Sequence, residues 1–179
     1  MKKAYVNDFT ALLKANFGEV PEEFVEYLKS SGYFSLPASV GHHSNLTGGL
    51  VNHSMTVAET LLTLTTRNHL QWSRSGSPVI VGLFHDICKM EAYEADHSGR
   101  GFGYTDTRNH LYTGHGEKSV LMLAPWILLT AEEIACIRWH MGAFDEKENW
   151  NHYTAAVRQF PNVLWTHQAD MIATHILLQ

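Results

Sequence analysis

The run VGLFHDICK sets His85 and Asp86 side by side in an apolar stretch, with Lys89 three residues further on. A buried charge is costly unless it is paired or bound to a metal. Two adjacent titratable groups in such a run need a common partner. A divalent cation supplies one, because imidazole and carboxylate are good ligands for zinc, iron or manganese. Similar interruptions recur along the chain: His53 in GGLVNHSMTV, His115 in TGHGEK, His140 in IRWHMG and Asp170 in WTHQADMIATH. Each has a plainer reading when taken alone. A histidine beside an apolar stripe is ordinarily a hydrogen-bonded core residue, and His140 at a helix end suits the C-terminal dipole. The doublet resists that reading, and histidine is abundant: 12 residues against 13 lysines and arginines together.

The elements that must position these groups read as helices almost throughout. Val6, Phe9 and Leu13 mark a first short helix. PEEFVEYLKSSG carries helix start and stop signals, with Pro21 and acidic residues at its front and Gly32 near its end. A polar loop, SVGHHSNLTGG, precedes a long helix expected from about Gly48 to His69. Pro78 opens a helix expected to run through the doublet to Lys89. Residues 94–112 read as an irregular loop, long enough to suggest function. Further helices are expected from about His115 to Leu129, from Ala131 to the Gly142 stop, over 151–160 and over 162–178. Thr130 with Glu133 forms a capping box ahead of AEEIACIRWHMG. No segment reads as a strand, so the expected class is all-α: one compact bundle, residues 36–179, with an N-terminal helical extension, residues 1–35, packed on it.

Composition narrows the function classes. A chain of 179 residues is long enough for one substantial core. The net charge of −5 argues against an extended nucleic-acid surface built on a broad basic face. Cys88 and Cys136 sit in apolar contexts with no spacing motif, which suggests a reducing compartment rather than a disulfide scaffold. The N-terminus shows no apolar run of signal-peptide type, and residues 120–129 are too few to span a bilayer. A cytoplasmic protein with no membrane partner is expected. Five tryptophans and the apolar 120–129 run permit a homodimer without requiring one.

GGLVNHS, LFHDICK, GHGEKSV, IRWHMG and HQADMIATH together resemble the HD-domain superfamily of metal-dependent phosphohydrolases, over residues 40 to 178 or so. The resemblance implies a four-ligand site from His53, His85, Asp86 and Asp170. It further implies a second ion held by His115 and His140, with Asp86 bridging. The doubled histidine that some two-metal relatives carry at the fourth helix is absent, since Trp139 precedes His140. The implied function is a phosphomonoesterase or phosphodiesterase acting on a nucleotide or other small phosphoester through a metal-activated hydroxide. The implied cofactors are divalent ions, two of them, from among iron, manganese, zinc, nickel, cobalt and magnesium.

Within that reading Asp86 and Lys89 are the catalytic candidates. Lys89 is also a substrate-binding candidate, set to hold a phosphate oxygen and neutralise developing charge. His43, before the long helix, and Arg108, in the 94–112 loop, are further substrate-binding candidates. His167, one turn before Asp170, is a candidate partner to the ligands. Arg138 is expected to face away from the site, and His69, His97, His152 and His175 are taken as surface or core residues. Two other functions use the same residues: a di-iron oxygenase of the same superfamily, and a nucleotide-binding module without turnover.

Overall fold

The computed structural model describes residues 3–18, 20–40, 46–95, 101–106, 112 and 114–178. Among the described residues eight α-helices follow in chain order: α1 Lys3–Phe17, α2 Glu22–Ser30, α3 Gly49–Asn68, α4 Ser77–Phe84, α5 His115–Leu123, α6 Ala131–Arg138, α7 Trp150–Gln159 and α8 Asn162–Ile172. The chain is mostly helical, as expected. The short strands β1, Tyr93–Ala95, and β2, Phe102–Tyr104, correct the expectation of no strand. They pair antiparallel, with Tyr93 opposite Tyr104, inside the segment read as an irregular loop.

Helix α4 is the axis of the bundle. All eight of its residues are buried, as befits a helix apolar all round. It packs against α1, α3, α6 and α8. Its closest neighbour is α3, where Gly82 lies directly on Ala58 and leaves no room for a side chain. Helix α3 turns Leu50, Val57 and Leu61 inward. On the other side, Phe84 meets the rings of Phe9, Phe24 and Tyr33 at centroid distances of 5.9, 5.4 and 6.3 Å. Residues of α1 and α2 thus belong to the same core as α4. Each such fully buried side chain contributes about 1.5–3 kcal/mol of transfer free energy. The packing fixes Phe84, and with it the start of the doublet that follows.

Four helix ends differ from expectation; among them α6 ends at Arg138, short of the Gly142 stop, and Gly142 instead opens a 3₁₀ turn to Phe144. Helix α4 stops at Phe84 and does not carry the doublet through to Lys89. Asp86 has φ −107° and ψ 14°, and a 3₁₀ turn runs from Ile87 to Glu91. Apolar residues continue past the break because the turn is buried as well, which disguises the stop. Helix α5 ends at Leu123 rather than Leu129. After α8 the chain widens into a π-turn over Ala173–Leu177. The capping box at Thr130 and Glu133 is present, with the Glu133 amide donating to Thr130 Oγ1 at 3.2 Å and the Thr130 amide to Glu133 Oε2 at 2.8 Å.

Candidate metal centre

Two helix ends build the centre by the same device. The last carbonyls of an α-helix have no partner within it. At the end of α4, the Gly82 carbonyl accepts from His85 Nδ1 at 2.9 Å. At the end of α6, the Ile137 carbonyl accepts from His140 Nδ1 at 2.7 Å. In each case the histidine reaches back three residues. With Nδ1 donating, the neutral form of each ring carries its lone pair on Nε2, the tautomer suited to a metal ligand. The residues beside these histidines share one backbone conformation: Asp86 with φ −107° and ψ 14°, Trp139 with φ −106° and ψ 14°. This sparsely populated region recurs at active sites.

The other members arrive from three directions. His53 comes from the second turn of α3, and its Nε2 lies 3.2 Å from His85 Nε2 and 3.1 Å from Asp170 Oδ1 of α8. His115, the first residue of α5, donates from Nε2 to Asp86 Oδ1 at 2.6 Å. Its other nitrogen lies 3.1 Å from Cys88 Sγ, a contact that nothing in the sequence spacing announces. Asp86 stands between the two halves. Its Oδ2 faces His53 at 3.5 Å and His85 at 3.4 Å, while its Oδ1 faces His115 and, at 3.5 Å, His140. Lys89 Nζ lies 2.6 Å from Oδ2. Of the residues named as metal, catalytic or substrate-binding candidates, the seven at positions 53, 85, 86, 89, 115, 140 and 170 come together. His43 and Arg108 lie outside the described residues.

The donor set fits a divalent cation. His53, His85 and Asp170 present three ligand atoms within mutual reach, and so do His85, Asp86 and His140. His140 Nε2 is fully buried with no hydrogen-bond partner. A lone pair pointed at a carboxylate oxygen 3.5 Å away is repelled by it, unless a cation lies between. His53 and His85 likewise bring two imidazole nitrogens to 3.2 Å of each other beside the carboxylates of Asp86 and Asp170.

Electrostatics agree. Burial pushes the Asp86 carboxyl toward neutrality, but the charges of Lys89, His85 and His115 outweigh it and hold the group well below the usual carboxylate range. Burial likewise opposes ionisation of Asp170, and the His53 hydrogen bond with the charge of His85 reverses it downward. His115 is disfavoured as a cation by burial, yet Asp86 pushes it up to about 10. His140 moves down, chiefly through burial, and so stays neutral.

Above this floor opens a cavity of about 910 Å³. His53, Asp86, Lys89, His115 and Asp170 line its base. Met141, Phe144, Met171 and Leu178 line its wall, with His167 and His175 among them. His175, taken from sequence as a surface or core residue, is exposed and also lines the cavity. It sits within the π-turn after α8. The wall residues carry no spacing signal that would have picked them out. His167 donates from Nδ1 to the His140 carbonyl at 2.8 Å, which ties α8 to the end of α6. Arg138 does not extend into solvent. It pairs with Glu117 and, at 2.6 Å, with Asp145, and lies 3.8 Å from the centroid of the Trp139 ring.

The chain matches no family model, and comparison with curated proteins and with solved structures likewise returns no match. Among the described residues no helix is long and apolar enough to cross a membrane.

Proposed function

We propose that the chain is a metal-dependent phosphohydrolase of the HD-domain kind, acting on a nucleotide or another small phosphoester at a two-cation site. The observation that carries this reading is the division of Asp86. One carboxylate oxygen addresses His53 and His85, the other His115 and His140. A carboxylate so placed suits a bridge between two cations, with Asp170 completing the first set and His115 and His140 forming the second.

Divalent ions held by these residues would supply a water of lowered pKa and Lewis-acid stabilisation of a phosphoryl group. The residues supply the rest. His85 and His140 hold fixed tautomers through backbone carbonyls, so little reorganisation is required when ligands bind. Lys89 fixes a positive charge in the cavity floor, where it neutralises charge growing on a phosphoryl oxygen. The buried base of the cavity limits water, which strengthens each of these interactions.

The test is elemental analysis of the purified protein, followed by a phosphate-release screen over nucleotides with Mn²⁺, Co²⁺, Mg²⁺ and Zn²⁺ under anaerobic conditions. Phosphate release without oxygen is expected. Consumption of O₂ by the iron-loaded protein, with no phosphate released from any ester, would favour the oxygenase instead.

A further inference from the structure

A phosphoryl group occupies a small part of a 910 Å³ cavity, which is the size of site that takes a drug-sized organic ligand. The chemistry of the wall differs from that of the floor. Phe144 is 68% exposed, although burying such a ring would gain about 1.5–3 kcal/mol. Its turn is nonetheless built to hold it there. Gly142, at φ 55°, lies so close to His167 that a Cβ would stand 2.8 Å from the ring. On the far side, Asp145 accepts from Arg138 at 2.6 Å, from Asn149 at 2.9 Å and from the Glu146 amide at 2.7 Å. The Phe144 and His167 rings stand 6.2 Å apart, tilted by 52°. Met141 and Met171 supply polarisable sulfur to the same wall.

We propose that Phe144, with His167, Met141 and Met171, forms a subsite for a planar unsaturated ring, a nucleobase or an aryl group, carried by the phosphoester. Phe144 is then a specificity-determining residue. Aromatic faces and thioethers bind π-systems by stacking and dispersion, and they offer an aliphatic polyol no comparable gain. This rests on the phosphohydrolase reading for its kinetic arm but not for its binding arm.

The experiment compares AMP, phenyl phosphate and glycerol 3-phosphate as substrates of the Mn²⁺-loaded full chain, in wild type, Phe144→Ala and Phe144→Trp. Loss of a base–aromatic stack corresponds to about a ten- to hundredfold change. In Phe144→Ala the kcat/KM ratio of AMP to glycerol 3-phosphate should fall by about tenfold or more, and Phe144→Trp should restore it. A fall with phenyl phosphate as well supports a general ring subsite; a fall with AMP alone assigns it to nucleobases. An unchanged AMP ratio would overturn the proposal. Calorimetric titration with adenosine and with ribose, in metal-free protein, separates the two ideas. If no ester is hydrolysed but adenosine binds and Phe144→Ala weakens it, the subsite stands and the hydrolase reading falls. If adenosine binds no better than ribose, or binds both proteins alike, the subsite is refuted. The Phe144→Ala fold is checked by its thermal midpoint, with Phe144→Leu as the second variant.

Discussion

His53 and His85 bring their Nε2 atoms to 3.2 Å of each other, although His85 already commits its Nδ1 to the Gly82 carbonyl. The approach depends on the crossing of α3 and α4, and the crossing depends on Gly82, which rests against the Ala58 backbone. A methyl group at position 82 must push the helices apart. Overpacking of this kind costs about 1–3 kcal/mol. Gly82→Ala should therefore lower the urea midpoint and weaken metal binding together. Full retention of metal affinity in a destabilised Gly82→Ala protein would show that the crossing does not set the ligand geometry.

Asp86 is the counter-charge shared by Lys89 and His115. Asp86→Ala leaves those partly exposed cations without their counter-charge, a loss of about 1–3 kcal/mol in metal-free protein. It should also abolish metal content and phosphate release. Urea unfolding in the presence of a chelator reads the first effect and elemental analysis the second.

His140 belongs to the half of the centre on the Oδ1 side of Asp86. His140→Ala should lose one equivalent of metal and keep the other. Unchanged stoichiometry would reject the two-cation arrangement and leave a single ion among His53, His85, Asp86 and Asp170.

Acidity gives a further handle. His115 in the metal-free protein is raised from its usual 6.5 to about 10 by Asp86, against the opposing effect of burial. A raised group stabilises fully below its unfolded pKa and loses that contribution as pH climbs to its folded one. Metal-free protein should accordingly lose thermal stability between about pH 6.5 and 10, and His115→Gln should flatten that decline. Asp86, being depressed, contributes above its unfolded value near 3.9 and loses that contribution on acidification. Metal uptake at pH 7 must expel the His115 proton, so affinity should rise with pH and an unbuffered solution should acidify on loading.

Much of the centre was legible because its residues break apolar patterns. His85 and Asp86 stand out in a run of Val, Ile, Leu and Phe, and Asp170 lies between Ala169 and Met171. A group that interrupts a stripe at such cost advertises a partner. The stop at Phe84 was not legible, because Ile87 and Cys88 stay buried in the 3₁₀ turn and continue the apolar pattern. The pairing of Tyr93 with Tyr104 rests on strands of three residues, too short for an alternation to register. The cavity wall was hidden for a different reason. Phe144 and His167 are 23 positions apart, and the turn at Gly142 sets them beside one cavity. Cys88 reads as an apolar core residue, and its contact with His115 follows from where α5 begins.

Anomalous diffraction from crystals grown with Mn²⁺ addresses the bridging role of Asp86 most directly. Two peaks are expected on either side of its carboxylate, one among His53, His85 and Asp170, the other beside His115 and His140. A single peak, or density remote from the His85–Asp86 doublet, would contradict the two-cation site.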